Sequence, residues 1–243
     1  MAAAAPTILA TSGGFNPGRR RQIEPGPLID FAFELAGRPE RPRFCYLGTA
    51  SGDDPVQQAW VYGAFVGSEV QVSHLALFTM PNVIDIRAHL LAQDVIWVGG
   101  GSVAGLLAMW QLHGLEPILR ECWDAGVVLG GVSAGSICWH VGGTTDSFGP
   151  DLRRIDNGLA FLPFANGVHH DAEPQRRPLF QRLIAEGVLP LGYATDDGAG
   201  LHYSGQELVE AVSDRPHAFA YSVEQSGSGA ATERKLKTRL LGD

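Results

Sequence analysis

A serine lies between two glycines where an apolar segment gives way to a segment compatible with a helix. Residues 131–135 read Gly-Val-Ser-Ala-Gly, and the apolar run 127–129 precedes them. In a nucleophile elbow, one serine is held on a tight strand-to-helix turn, and its neighbours are glycines because a larger side chain would obstruct the bend. The arrangement predicts that the hydroxyl of Ser133 attacks a carbonyl carbon.

Such an attack produces an oxyanion, and two backbone amides are placed to receive it. A helix that begins directly after Ser133 would direct the amide of Ala134 towards that point. The loop 99–101 is Gly-Gly-Gly, and consecutive glycines let N–H groups approach a ligand closely. We therefore expect the amides of Gly100 and Ala134 to form the oxyanion hole. The expected substrate contacts beside them are Gly99, Gly101 and Ser102, of which Ser102 is also a predicted helix N-cap.

A nucleophilic serine needs a base, and the base needs a group that orients it. Two adjacent histidines, His169 and His170, follow the serine along the chain, and two adjacent aspartates, Asp196 and Asp197, follow the histidines. The chain order is therefore Ser, His, Asp. The residue types alone leave both members of each pair open, and either aspartate can instead be a turn residue.

Short apolar runs alternate with helix-length segments over most of the chain. The runs are nearly continuous in hydrophobicity, as is typical of buried parallel strands, and they cover residues 7–10, 43–48, 73–78, 95–98 and 127–129. The predicted helices cover residues 27–36, 55–66, 82–92, 103–125 (as two helices) and 134–141, and another begins near residue 173. This alternation predicts an α/β fold with a doubly wound, mostly parallel sheet flanked by helices.

The C-terminal part differs in texture. From about residue 191, Gly-rich alternating segments predict antiparallel strands, and the tail from about residue 226 is expected to be flexible. No shift in composition divides the chain, so residues 1–243 are predicted to form a single domain. Because ligands gather at the carboxyl ends of strands in such sheets, we expect the loop after Thr11, the loop 99–101 and Ser133 at one edge.

Composition excludes several classes of protein. The chain has 243 residues and a net charge of −8, which argues against a nucleic-acid partner. Its three cysteines lack metal-ligand spacing, so we expect reduced thiols, a cytoplasmic location, and no metal or organic cofactor. The first residues do not resemble a signal peptide, and no apolar run approaches the roughly 20 residues of a membrane helix.

Taken together, the motifs resemble the peptidase E (aspartyl dipeptidase) and cyanophycinase family of serine peptidases. The likeness rests on the glycine loop 99–101, the elbow 131–135, the histidine about 36 residues after Ser133 and the acid before Gly198, and it spans roughly residues 40–205. It implies a sheet like that of class I glutamine amidotransferases, with serine in place of cysteine. It also implies Ser133 as nucleophile, His169 as base and Asp197 as the orienting acid.

The resemblance leaves alternatives open at these positions. Family members often have glutamate where this chain has Asp197, and some place the acid in a Thr-Thr-x-Asp-like stretch, which Thr144-Thr145-Asp146 matches. Asp196 and Asp146 are therefore the alternative acids, and His170 is the alternative base. 

Two sets of arginines are candidates for binding acidic substrates. Arg176 and Arg177 follow the histidines at the start of a helix, where a guanidinium could bind a carboxylate bidentately. Their spacing does not closely match the aspartyl dipeptidase subgroup. The run Arg19-Arg20-Arg21 is either a solvated surface or a basic collar around the site.

The resemblance implies a serine exopeptidase or dipeptidase that cleaves short peptides through an acyl-enzyme, and it leaves open whether aspartate lies next to the scissile bond. The resemblance also leaves a homodimer as a possible assembly, because relatives are often dimers. The alternatives are a cyanophycinase-like hydrolase of aspartate–arginine polymer, an α/β-hydrolase esterase and a non-catalytic binding protein. An esterase would need His217 as base. In addition, the glycine loop lies only about 30 residues before the serine, which is not where an α/β-hydrolase has its oxyanion motif. The intact Ser, His and Asp candidates disfavour a non-catalytic protein.

Overall fold

The computed structural model describes residues 3–227 and 229–242 of the chain. Helices and strands alternate from β1 to β7, and strands predominate afterwards. The helices are α1 (Pro27–Leu35), α2 (Pro55–Ala64), α3 (Ile86–Leu91), α4 (Val103–His113), α5 (Leu115–Asp124), α6 (Ala134–Ile137) and α7 (Arg176–Ala185). The strands are β1 (Thr7–Thr11), β2 (Phe15–Pro17), β3 (Ile23–Pro25), β4 (Arg43–Leu47), β5 (Gln71–Leu75), β6 (Val95–Val98), β7 (Val128–Val132), β8 (His140–Thr145), β9 (Arg153–Ile155), β10 (Leu162–Gly167), β11 (Gly192–Thr195), β12 (Ala199–Ser204), β13 (Glu207–Ser213), β14 (Ala220–Gln225), β15 (Ala231–Lys235) and β16 (Thr238–Leu240).

The larger sheet has eight strands within the described residues, in the order β16-β13-β12-β1-β7-β6-β4-β5. Neighbouring strands are parallel in the segment β1-β7-β6-β4-β5 of this sheet, and β12 runs antiparallel to β1. Adjacent strand residues point to opposite faces: Leu9 and Phe44 pack with α1 and α2, whereas Ile8 and Cys45 pack with α3, α4 and α5. The predicted doubly wound sheet with antiparallel strands near the C-terminus is confirmed.

A second sheet, in the order β15-β14-β11-β10-β8-β9, lies after the serine elbow. The predicted helix 134–141 is wrong in its second half, because α6 ends at Ile137 and β8 begins at His140. Glycines allow β8 to approach its neighbours closely: a Cβ at Gly142 would lie 2.0 Å from the Ile155 oxygen, and one at Gly143 would lie 2.1 Å from the Asn166 oxygen. Backbone packing of this kind leaves no periodic signal in the sequence.

The C-terminal tail contributes a strand to each sheet. β15 pairs antiparallel with β14, and β16 pairs parallel with β13. The prediction of a flexible tail is therefore wrong for these two segments, because hydrogen bonds to the sheets order them. Ser228 and Asp243 lie outside the described residues. The single-domain organisation stays a prediction.

Large aromatic side chains and cysteines fill the interior. Trp97, Trp110 and Trp139 are fully buried, as the sequence predicts for core residues. The three cysteines are buried free thiols. In the described part of the chain, no helix is both long and apolar enough to cross a membrane.

Candidate active site

Three strand ends meet at one edge of the larger sheet. Thr11 of β1 is in register with Val132 of β7, and Val98 of β6 is in register with Gly131. The loop after Thr11, the elbow at Ser133 and the glycine loop 99–101 therefore lie side by side, as the doubly wound topology predicts.

The backbone at Ser133 has the unusual conformation φ 58°, ψ −111°. A non-glycine residue in such a region costs about 1–3 kcal/mol, so the surrounding structure must hold it there. The Ser133 N–H donates to the Thr11 oxygen at 3.0 Å, and the Ser133 oxygen accepts from the amides of Ser136 and Ile137 at 2.9 Å. The side chain makes no capping hydrogen bond to α6, so its hydroxyl remains available.

The glycines on both sides of this serine are required by close backbone packing. A Cβ at Gly131 would lie 2.5 Å from the Gly135 oxygen, and one at Gly135 would lie 2.2 Å from the Val98 oxygen. These contacts explain the Gly-Val-Ser-Ala-Gly pattern. Because α6 is only four residues long, local amides rather than a long helix dipole face this point.

Two backbone N–H groups near Ser133 are available to a ligand. Within the described residues, the N–H groups of Gly100 and Ala134 donate no hydrogen bond, whereas Gly99 donates to the Leu47 oxygen at 3.0 Å. A Cβ at Gly100 would lie 3.4 Å from the Ser133 Cβ, so the glycine loop passes directly beside the serine. Both amides are thus candidates to bind an oxyanion, as predicted from the sequence.

Two contacts hold His169 in place. Its Nδ1 lies 2.5 Å from Oδ1 of Asp197, and its N–H donates to Oγ of Ser12 at 3.1 Å. The Asp197 N–H donates in turn to Oδ1 of Asp171 at 2.8 Å. His169 also has a positive φ of 53°. Because Nδ1 faces Asp197, the opposite nitrogen, Nε2, is the one available for a serine hydroxyl.

Ser133 and His169 border the same cavity, which has a volume of about 410 Å³. In the described part of the chain, no hydrogen bond joins the two side chains. Such bonds are often long before substrate binds and tighten in the substrate complex. The remaining lining residues are Gly101, Ser102, Asp146, Ser147, Glu173 and Arg176.

The match to a family model extends over residues 8–211, and that model describes peptidase family S51. The chain belongs to peptidase family S51. An uncharacterized peptidase of Bacillus subtilis (strain 168), YgaJ, is 45% identical to it over 236 residues, covering 97% of this chain and 98% of the relative. Peptidase E of Shewanella amazonensis (strain ATCC BAA-1098 / SB2B) is 26% identical over 161 residues, covering 61% of this chain and 67% of the relative.

Solved structures of similar fold bear related names. A peptidase from an acI-B1 actinobacterium matches with a TM-score of 0.66 and 15% identity, covering 96% of this chain and 95% of that one. A protein from Listeria monocytogenes EGD-e described as a peptidase E matches with a TM-score of 0.61 and 17% identity, covering 85% and 98% respectively. The fold is the class I glutamine amidotransferase-like one, and this S51 member is a serine peptidase.

The second candidate base lies in a separate network. Nε2 of His170 is 2.8 Å from Oε2 of Glu233, and the ring packs against Tyr221. Burial lowers the pKa of His170 and outweighs the raising effect of Glu233. In this S51 peptidase, His170 is not among the described residues that border the cavity. Its contact with Glu233 anchors the chain next to His169 instead.

The alternative acids occupy different places. Asp196 faces β14, where its Oδ2 accepts hydrogen bonds from the Phe219 N–H at 3.0 Å and the Tyr221 hydroxyl at 3.1 Å. Burial raises the pKa of Asp196. Asp146 borders the cavity but, among the described residues, forms no hydrogen bond with His169. Asp197 is thus the acid that the fold brings to the imidazole.

The predicted substrate-binding residues divide into two groups. Arg176 borders the cavity with a nearly buried side chain, and its Nε and Nη2 lie 2.9 and 3.0 Å from the two oxygens of Glu173. Arg177 points away, pairs with Glu233 and stacks over Tyr221. Ser102 is confirmed as the N-cap of α4, since its Oγ accepts the Gly105 N–H at 3.0 Å. It also borders the cavity, where its contact with substrate stays a prediction.

The remaining sequence candidates lie elsewhere. Arg21 donates to the backbone oxygens of Ala64 at 2.8 Å and Val66 at 2.5 Å, so it fastens the end of α2, while Arg19 and Arg20 are exposed. His217 is exposed and does not border the cavity, which removes the base that an esterase would need.

Three residues that support the site were not predicted from the sequence. Ser12 receives the amide of His169, Asp171 receives the amide of Asp197, and Glu173 neutralises Arg176. Asp171 and Glu173 closely follow the histidines, which is the one signal that could have pointed to them. Ser12 lies 157 positions before His169 in the chain, so only the folded structure reveals their hydrogen bond.

Proposed function

We propose that this S51 peptidase hydrolyses short peptides through an acyl-enzyme formed on Ser133, with His169 as general acid and base and Asp197 as its orienting acid. The main support is the 2.5 Å contact between His169 Nδ1 and Asp197 Oδ1 at the cavity that Ser133 borders. That contact leaves Nε2 free to take a proton from a serine hydroxyl.

The reaction follows from this geometry. Ser133 Oγ attacks the peptide carbonyl while His169 Nε2 accepts its proton, and the developing oxyanion accepts hydrogen bonds from the amides of Gly100 and Ala134. The C–N bond then breaks as His169 returns the proton to the leaving amine. Water then attacks the acyl-enzyme while His169 Nε2 accepts its proton. The ester bond to Oγ breaks, His169 returns the proton to Ser133 Oγ, and the carboxylic acid is released.

The cavity supports a short substrate. Its volume of about 410 Å³ lies in the lower part of the range for small-molecule sites. Glu173 already pairs with Arg176, so among the described lining residues Asp146 is the carboxylate without an ion-pair partner. An acidic group attracts a peptide α-ammonium group, which favours an exopeptidase. The same charge balance gives no support to a preference for aspartate next to the scissile bond.

The location and assembly of the protein remain proposals. The three buried free thiols support the cytoplasm, where cysteines stay reduced. A homodimer stays a prediction taken from the family resemblance.

Labelling and hydrolysis test the proposed function together. A fluorophosphonate probe should modify Ser133 of the wild type, and a library of short peptides, including Asp-Xaa dipeptides and an aspartate–arginine polymer, should show which substrates are cleaved. Ser133→Ala should abolish both labelling and cleavage with an almost unchanged Tm. Ser204→Ala is the matched control, because Ser204 pairs with Thr7 at the opposite end of β1. Cleavage by the Ser133→Ala variant would refute the proposal.

A further inference from the structure

A second, smaller pocket of about 180 Å³ lies beside the serine elbow. Its aromatic lining residues are Phe15, Tyr46 and Trp60, together with the fully buried Trp97. None of the described residues that line it carries a charge at neutral pH, because Tyr46 is its one ionisable group and burial raises the pKa of that phenol to about 12. The pocket thus differs in chemistry from the polar cavity that contains His169.

The pocket adjoins the proposed reaction centre. Gly99, Gly100 and Val132 contribute to its lining, and Gly100 is one of the two proposed oxyanion donors. Val132 directly precedes Ser133. A peptide carbonyl bound at the Gly100 amide would therefore have the aromatic pocket on one side and the polar cavity on the other.

The absence of side chains at the glycine loop keeps this pocket open. A Cβ at Gly99 would lie 2.2 Å from the Tyr46 hydroxyl, so any larger residue would push into the pocket wall. The Tyr46 hydroxyl is held by Oε1 of Gln57 at 3.3 Å.

The position of His169 decides which part of a peptide faces this pocket. The imidazole must deliver a proton to the leaving nitrogen, so that nitrogen lies towards His169. His169 does not line the aromatic pocket. The substituent on the acyl side of the scissile carbonyl is the part left to occupy it.

We propose that this pocket binds a large apolar side chain, aromatic or branched aliphatic, on the residue that supplies the scissile carbonyl. The proposal rests on the proposed function, since it needs an acyl-enzyme at Ser133. The volume fits one side chain rather than a complete drug-sized ligand, for which sites begin at about 300 Å³. Transfer of an apolar side chain from water to uncharged aromatic walls is favourable, whereas a charged one would lose its hydration without a partner.

Trp60 offers a variant that changes the pocket without disturbing the core. It lies on α2 with 40% of its surface exposed, and it lines the pocket. Tyr62 is a matched control: it lies on the same helix, is also 40% exposed, and contacts His74 instead. Neither residue belongs to the proposed catalytic groups.

The experiment compares peptides that differ only in the acyl-side residue: Phe, Leu, Ala, Asp or Lys. Wild type should prefer Phe and Leu by about tenfold or more in kcat/KM over Ala. Trp60→Ala should lower kcat/KM for the Phe and Leu peptides towards the value for the Ala peptide and so remove most of this preference, and Tyr62→Ala should retain the preference. Peptidyl phosphonates with the same side chains, scored by the rate of Ser133 labelling, give a second measurement that does not depend on turnover.

The outcomes separate the two proposals. Cleavage and labelling with no apolar preference, or with a preference confined to the leaving side, overturn the pocket assignment and leave the serine mechanism intact. A preference that Trp60→Ala and Tyr62→Ala reduce equally also overturns it. If no peptide is cleaved and Ser133 reacts with no phosphonate, the serine mechanism fails and the pocket assignment fails with it.

Discussion

Nε2 of His170 lies 2.8 Å from Oε2 of Glu233, which joins the loop of the proposed base to strand β15 near the C-terminus. The same carboxylate also accepts from Arg177 and from Nε2 of Gln181. The hydrogen bonds from these neighbours lower the pKa of Glu233, although burial acts in the opposite direction. A residue of the C-terminal tail thus supports the backbone that presents His169.

Glu233→Ala should therefore lower both stability and turnover. Loss of the carboxylate leaves the buried His170 without its partner, which should reduce the free energy of unfolding by about 1–3 kcal/mol. We expect kcat to fall more than KM rises, since His169 is displaced rather than removed. Urea unfolding and steady-state kinetics measure the two effects. Glu224→Ala, which breaks a surface pair with Arg234, should change stability by less than about 0.5 kcal/mol; equal effects in both variants would contradict the anchoring role.

Asp197→Asn should reduce kcat by roughly 10³–10⁴ with little change in KM, because the amide favours the wrong imidazole tautomer. Peptide hydrolysis with folded, purified variant measures this. Asp146→Asn discriminates between the two acids: it should retain most of kcat, since Asp146 borders the cavity without bonding to His169. If the Asp146 variant were the more damaged of the two, the orienting role would pass to that residue.

Gly135→Ala should destabilise the elbow. The added Cβ would lie 2.2 Å from the Val98 oxygen, and because this is backbone the strain cannot be relieved by a rotamer change. We expect a loss of about 2–3 kcal/mol in unfolding free energy, together with loss of Ser133 labelling. Gly63→Ala is the counterpart in open space within α2, and it should stabilise the protein by about 0.5–1 kcal/mol. A neutral Gly135→Ala would show that the elbow is more plastic than its contacts indicate.

His140 should make stability fall in mild acid. Burial lowers its pKa from the usual 6.5 to about 4, with Nδ1 2.9 Å from the Ser136 oxygen. The unfolded chain binds the proton more readily, so this contribution is fully present above pH 6.5 and is lost as pH falls towards 4. The total change amounts to about 3 kcal/mol at most.

Denaturant unfolding of wild type and His140→Asn at several pH values between 7.5 and 4 would measure the effect. Carboxylates titrate equally in both proteins at the lower end, so the difference between the two curves isolates the histidine. The variant should be less stable at neutral pH and show a flatter decline. Parallel curves would mean that His140 titrates normally in the folded state.

Local patterns in the chain are sufficient to predict the elbow and the parallel strands of the larger sheet. Runs such as 95–98 and 127–129 are continuous in hydrophobicity because both faces of a parallel sheet are covered, and the pentapeptide 131–135 has glycines because its backbone has no room for side chains. These constraints act within a few residues. The family resemblance then selects His169 and Asp197 from their pairs.

Tertiary structure alone decided the rest. Adjacent residues such as His169 and His170 point to opposite environments, and only the folded backbone, with its positive φ at His169, determines which one enters the cavity. The second sheet, the Glu233 anchor and the aromatic pocket depend on contacts between residues dozens of positions apart. Burial and charge pairing arise from such long-range packing, and therefore no local pattern of residue types could specify them.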